Sequence, residues 1–472
     1  MTDNNTPAAA SAAEADSIEQ DLYQKRKKIY PREVHGLFAN LRNLGMTTLL
    51  GFFYIMPWLT WDGRQSILFD LPERKFYILG MVFWPQDFIY LTMLLVIAAL
   101  ALFFFTALAG RLWCGYACPQ TVWTDSFLLI ERWIEGSRQQ QIKLDKAPMS
   151  AHKFTKKFTK HFIWLAFSLF TGFTFVGYFT PIRDLAVAIP SFGFGPWEIF
   201  WIFFYGFATY GNAGWLREQV CIYMCPYARF QSAMFDKNTL VISYDEKRGE
   251  PRGARKKNVD PAALGLGSCV DCSICVQVCP TGIDIRDGLQ YQCIGCAACI
   301  DACDDVMDKM GYEKGLIKYT TENMLQGTET NFLRPRILLY AAILSAITIG
   351  TGIGIANRSP IELDIIRDRN SLFRETGMGT IENVYTLKVI NKDLVAHEYL
   401  LSADGLPELK LKKQRDQIKV ESGGVLEVPV SIEVNPDLLD KRTTEFTFRL
   451  ETIEDPSIFI VEEARYLGPL KR

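Results

Sequence analysis

A doubled cysteine run limits what this chain can fold into more than any other feature. Cys269, Cys272, Cys275 and Cys279, followed by Pro280, make C-x2-C-x2-C-x3-C-P. Cys293, Cys296, Cys299 and Cys303 repeat the spacing after 13 residues, with Asp304 where proline is usual. Three thiolates two residues apart can grip one iron–sulfur cube corner by corner. The fourth lies too far along to close the same cube and ligates the other. The spacing therefore assigns Cys269, Cys272, Cys275 and Cys303 to one [4Fe–4S] cluster, and Cys293, Cys296, Cys299 and Cys279 to a second. Structural zinc needs only four thiolates and tolerates looser spacing, so it does not account for the repetition. Asp304 weakens one turn signal and puts a negative charge beside a cluster, which lowers a reduction potential. It removes no ligand.

Twelve cysteines are present, none before Cys114 and none after Cys303. Disulfide scaffolds do not cluster this way in a large chain, whereas ligand sets do. The four outside the run fall in two C-x3-C-P motifs: Cys114 and Cys118 in WCGYACPQ, and Cys221 and Cys225 in CIYMCPY. Proline disfavours helix at the residue before it and favours the first position of a new one. Cys118 and Cys225 are thus expected at helix N-termini, where the dipole lowers a thiol pKa. Paired soft thiolates select Cu(I), and Cu(II) meeting them beside an electron donor would be reduced and held. The same C-x3-C-P spacing occurs at residues 275–280, so a third iron–sulfur cluster is an equally physical occupant, and the residues leave both open. Met224 and His397 are expected to be packing and surface residues rather than ligands. Arg217 and Glu218 are expected to be interfacial charges.

Five segments are apolar enough for a membrane helix of about 20 residues: residues 41–61, 88–110, 162–180, 196–216 and 337–356. The second, FIYLTMLLVIAALALFFFTALAG, carries no charge. Lys25, Arg26, Lys27, Lys28, Arg32 and Arg42 precede the first segment. Nine basic residues lie in 111–161, against Arg64, Arg74 and Lys75 in the first outer loop and Arg183 alone between the third and fourth segments. The positive-inside rule then puts the N-terminus and both cysteine regions on the inner side and everything after Ala356 outside, which in a bacterium is the periplasm. The first 20 residues are small, polar and acidic, as expected of a disordered tail, and no cleavable signal peptide is expected. The net charge of −2 argues against a nucleic-acid binder.

After Pro360 the period changes to two. Leu426, Val428, Val430, Ile432 and Val434 alternate with polar residues or proline, as do Phe446, Phe448 and Leu450, and Tyr385, Leu387 and Val389. Short alternating runs broken by Gly423-Gly424 and Asn435-Pro436 predict an antiparallel β-sandwich of about seven strands. The expected architecture is a multi-domain membrane protein with a five-helix transmembrane bundle, a cytoplasmic two-cluster ferredoxin-like insert and a C-terminal immunoglobulin-like β-sandwich. Its expected parts are a cytoplasmic N-terminus (1–40), four helices with the first C-x3-C-P motif (41–216), the second motif and ferredoxin region (217–334), a fifth helix (337–356) and the sandwich (360–472).

The strings RLWCGYACPQTVW and CIGCAACIDACDDVMDKMGY, with the second C-x3-C-P motif, resemble the CcoG/FixG/RdxA family of cytochrome c oxidase accessory proteins over nearly the whole chain. Asp304 is part of that family string. The resemblance implies a role in maturing a cbb(3)-type haem–copper oxidase and an activity like that of a cupric reductase. It makes Cys114, Cys118, Cys221 and Cys225 the implied copper site. Implied partners are the lipid bilayer, a cytoplasmic electron donor or quinol, a copper transporter or chaperone, and oxidase assembly factors; self-association into a homo-oligomer is left open. Looser NapH- and NosR-like relatives imply instead a quinol-linked electron conduit. A non-enzymatic assembly scaffold is the third alternative.

Overall fold

The computed structural model describes residues 28–469 except Asp62, Asn258, Asn370, Leu394, 414–416 and Asp440. The acidic tail and Lys25, Arg26 and Lys27 lie outside the described residues. The chain divides into two compact units that interleave in sequence. One contains the residues up to Leu49, Phe105–Ala166 and Tyr210–Phe332; the other contains Leu50–Phe104, Phe167–Thr209 and the residues from Leu333 onward. All twelve cysteines belong to the first unit.

Helices occur at each of the five apolar segments: Leu37–Ile55, Phe88–Ala109, Ala151–Val176, Pro196–Thr209 and Pro335–Ala356. Among the described residues only two are both long and apolar enough to cross a membrane, Pro85–Ala109 and Pro335–Ala356. The other three differ from the expectation for visible reasons. Leu37–Ile55 is 19 residues long and carries Arg42. Ala151–Val176 starts early and opens on four lysines within ten residues. Pro196–Thr209 stops after 14 residues, where the chain widens into a π-helix over Tyr210–Leu216. In the second unit Gly172 lets two of these helices meet, since a Cβ there would collide with the Ile202 carbonyl. Such small-residue contacts are what let apolar helices approach closely.

The tail is a sandwich of two antiparallel sheets. In one, Ile381–Asn391 pairs with Val425–Val434 and Ile361–Arg367, in a register that sets Tyr385 opposite Val430 and Leu387 opposite Val428. In the other, Thr443–Thr452 pairs with His397–Asp404 and Phe459–Leu467. Inward residues from both sheets, including Tyr385, Leu387, Val389, Val430, Ile432, Phe446, Phe448 and Leu450, form one buried core. The two sheets contain nine strands rather than about seven. The surplus comes from pieces such as Arg374–Glu375 and Ile418–Val420, too short to show alternation. A further meander, Ile67–Asp70, Lys75–Ile78 and Met81–Phe83, lies between the helices Leu37–Ile55 and Phe88–Ala109. Asp87, buried just after it, pairs with Arg358 at 2.5 Å and Lys392 at 3.2 Å.

The first unit holds the ferredoxin region. Val241–Tyr244 and Ile317–Thr320 pair antiparallel and close the cysteine loops between them. Ile242, Ile285, Ile300, Met307, Leu316 and Ile317 make the core on which the loops sit.

Candidate iron–sulfur and thiolate centres

The two C-x2-C-x2-C loops follow the same backbone course. Asp271 and Ser273 have φ of +53° and +54°, and the matching Gly295 and Ala297 have +68° and +58°. A left-handed residue other than glycine costs roughly 1–2 kcal/mol, and three of these four are not glycine. Left-handed residues set between right-handed ones turn successive N–H groups toward one concavity, as in loops that cradle anions. Each loop then enters a helix. Ile274–Val278 carries Cys275 and ends at Cys279; Ala298–Met310 carries Cys299 and Cys303. Pro280 stops the first after about one turn, whereas Asp304 lets the second run on. Asp304 Oδ1 accepts a hydrogen bond from the Gly315 amide at 2.9 Å.

The fold brings Cys303 into the electrostatic field of Cys275, Cys269 and Cys272, and Cys299 into that of Cys296, Cys293 and Cys279. Cys299 also feels Cys275, so the two groups adjoin. Ile242, Ile283, Ile285 and Ile294 line the space among Cys275, Cys279, Cys293, Cys296 and Cys299. Burial pushes the Cys275 thiol up to about 11 and the Cys303 thiol up to about 12, with neighbouring thiolates adding to the shift at Cys303. Anionic sulfurs crowded into so apolar a space require a cationic core between them. The donor set and the loops that hold it fit two [4Fe–4S] clusters, which when bound store and pass single electrons.

The remaining four cysteines lie near enough to act on one another electrostatically, though no three acidic, histidine or cysteine side chains among the described residues are already drawn together as metal ligands. Cys118 immediately precedes Pro119, the first residue of the Pro119–Glu135 helix, and Cys225 stands likewise before Pro226 of Pro226–Met234. Both are extended, as a residue before proline should be. Cys114 lies in the short helix Leu112–Tyr116 and Cys221 in a π-turn over Val220–Met224. Cys114 feels Cys118, Cys221 and Cys225. Burial pushes Cys114 up to about 12 and Cys221 up to about 11. At Cys118 the helix N-terminus acts as expected, through the amides of Gln120 and Thr121, but burial outweighs it and the thiol moves up rather than down. Met224 is 61% exposed, so it is not buried with the four thiols.

This group lies directly against the second cluster loop. A Cβ on Gly115 would stand 2.6 Å from the Gly295 carbonyl oxygen and 3.1 Å from the Cys296 Cα. Cys114 packs in the same apolar cluster as Cys296, Ile294 and Val278. The Tyr319 hydroxyl donates to the Gly295 carbonyl at 2.8 Å.

Arg217 and Glu218 are buried, contrary to the expectation of interfacial charges. Arg217 pairs with Glu131 at 2.7 Å. Glu131 also meets Lys28 and Lys160, each at 3.3 Å, and Glu135 meets Lys160 and Lys157, each at 2.9 Å. Gln120 donates to the carbonyls of Asn212 and Arg217 at 2.9 and 3.0 Å, tying the first motif to the π-helix. The carboxylate of Asp301, between the ligands Cys299 and Cys303, accepts from the amides of Phe38 and Ala39 at 3.2 and 2.7 Å. It thereby caps the Leu37–Ile55 helix. Gln120 and Asp301 lie inside the cysteine motifs, but nothing in the sequence pointed to these partners.

Two folded cysteine runs of this kind mark an iron–sulfur electron-transfer protein, and comparison with known proteins agrees. Residues 216–322 match the 4Fe-4S dicluster domain family, 91–135 match a 4Fe-4S binding domain, and 351–469 match the Ig-like fold at the C-terminal of FixG. "Nitrogen fixation protein FixG" of Rhizobium meliloti is 39% identical over 440 residues, 85% of this chain and 84% of the relative. "Protein RdxB" and "Protein RdxA" of Cereibacter sphaeroides are 41% and 38% identical, over 84% and 88% of this chain and 86% and 88% of their own. The chain belongs to the FixG/RdxA family. A crystal structure of a FixG-related protein from Vibrio parahaemolyticus is 38% identical and covers 24% of this chain and 99% of its own, with a TM-score of 0.22.

Proposed function

We propose that this chain is a membrane-bound cupric reductase that supplies Cu(I) for maturation of a cbb(3)-type cytochrome c oxidase. The observation that carries the reading is the thiol quartet of Cys114, Cys118, Cys221 and Cys225 set against the Gly295–Cys296 loop. Substrate Cu(II) entering the quartet gains one electron and becomes Cu(I), the ion that thiolates prefer. The chain's own work is to hold the four sulfurs together, keep them half-buried and fix them beside the cluster loop. The electron comes from a cytoplasmic donor or membrane quinol, and Cu(I) passes to a transporter or chaperone. In this reading all five helices sit in the bilayer, the cysteine centres lie on its cytoplasmic side and the sandwich lies in the periplasm. Leu129 and Trp133, exposed on the Pro119–Glu135 helix, suit a helix resting on the inner membrane surface.

The test is Cys221→Ser with Cys225→Ser in the anaerobically purified full chain. The variant should retain iron, sulfide and cluster EPR signals but lose Cu(I) formation, read with a Cu(I)-specific chelator. Undiminished Cu(I) formation would reject the quartet as the site.

A second reading is favoured by the match of residues 91–135, which include Cys114 and Cys118, to a 4Fe-4S binding domain. There the quartet holds a third cluster. Iron analysis separates the two readings: about eight iron atoms per chain for two [4Fe–4S] clusters, about twelve for three.

A further inference from the structure

Three arginines stand in the field of the cluster ligands, and one differs from the others. Arg286, beside Cys275, is neutralised by Asp284 and Asp271, each at 2.6 Å. Arg42, beside Cys296, is neutralised by Asp125. Arg111 is 8% exposed. Its guanidinium donates to the Ala228 carbonyl at 2.7 Å, and it pairs with no carboxylate among the described residues. Its backbone is pressed against the second cluster loop, with the carbonyl oxygen 3.0 Å from where a Cβ of Gly295 would stand. A buried cation without a counter-charge is strongly unfavourable. The groups in its reach are the sulfurs of Cys293 on one side and of Cys114 and Cys221 on the other, which become anionic when they ligate a cluster or metal.

Among the described residues the first cluster lacks such a cation. Asp304 acts on Cys303, and at Cys275 the paired charges of Arg286 and Asp284 oppose one another. A nearby cation favours the more negative, reduced state of a cluster and raises its potential, whereas a carboxylate lowers it.

We infer that Arg111 is the unneutralised charge shared by the second cluster and the C-x3-C-P quartet, placing the second cluster above the first in potential and so directing electrons toward the quartet. Arg111 is a tuning and positioning residue, not a catalytic one. The transfer it favours moves one electron to an oxidant at the quartet, Cu(II) in the reading above, with no proton or leaving group. The ordering of potentials rests on the two clusters and not on copper, so it is tested without copper.

The experiment is an EPR-monitored redox titration of the copper-free full chain in detergent. Cys293→Ser and Cys303→Ser serve only to mark which signal belongs to which cluster. In Arg111→Gln the second cluster should titrate at a more negative potential while the first stays in place. Arg111→Lys, which keeps the charge, should remain close to wild type. A shift of both clusters together, or of neither, would overturn the inference. Should Arg111→Gln fail to assemble, the wild-type protein decides. The signal marked by Cys293→Ser must titrate above the one marked by Cys303→Ser, and the reverse order would overturn the inference. A failure of the copper reading would leave these potentials unchanged.

Discussion

Glu131 shows how strongly single side chains in this protein depend on partners far away in sequence. It is 1% exposed. Burial alone would raise its carboxyl, but Arg217, Lys28 and Lys160 outweigh burial and hold it at about 2. Its folded pKa thus lies below the unfolded value. The stabilisation is complete above about pH 4.5 and is lost as the pH falls toward 2, on the order of 3 kcal/mol over that window. Glu131→Gln should cost about 3–5 kcal/mol at pH 7, because it leaves buried cations without a counter-charge. It should also flatten the acid limb of stability between pH 5 and 2. Denaturant unfolding followed by circular dichroism at pH 7 and pH 3 checks both, and parallel pH profiles for variant and wild type would refute the assignment. The twelve cysteines were legible in the sequence because their spacing is local. Glu131 was not, since Arg217 lies 86 positions away. Nor was Asp301, whose bond to Ala39 spans 262. No periodicity marks such pairs before the chain is folded.

Whole elements were legible where a local rule fixes them and obscure where tertiary packing extends or widens them. Proline placed Cys118 and Cys225 ahead of their helices, as the sequence suggested. The 3.6-residue period gave no hint that the helix after Pro196 widens at Tyr210 into a π-helix. Nor did the missing proline at Asp304 reveal its use. The Ala298–Met310 helix runs beyond Cys303 and carries Met307, 1% exposed, into the core with Leu316 and Ile317. Asp304→Pro would remove a helical hydrogen bond, clash with the preceding turn and lose the contact with Gly315, costing about 3 kcal/mol or more. It would also drive Cys303 toward the extended conformation that Cys279 already has before Pro280. Cysteine ligation should therefore survive, with iron content unchanged, while the denaturation midpoint drops. An unchanged midpoint would mean that the helix beyond Asp304 contributes nothing to the core.

At the scale of the whole molecule the chemistry is segregated. All twelve cysteines fall between Cys114 and Cys303, and the sandwich contains no cysteine at all. The sandwich was readable because period-two alternation persists through its long strands, while the Ile67–Phe83 meander was hidden by strands of three or four residues. The proposed sidedness rests on the basic loops flanking the apolar segments, and under it the thiols would lie on the side of the cell where they remain reduced. A labelling experiment tests this directly. Met378 is 80% exposed in the sandwich unit, and Lys309 is exposed on the helix that carries Cys303. In intact cells a membrane-impermeant maleimide should label Met378→Cys and leave Lys309→Cys untouched; permeabilised cells should show both. Native cysteines contribute little background in either case if they are held as cluster or metal ligands. Labelling of Lys309→Cys from outside would invert the topology. The cysteine centres would then face the oxidising compartment, where neither reduced thiols nor a supply of cytoplasmic electrons would serve them, and the reductase reading would fall with the topology.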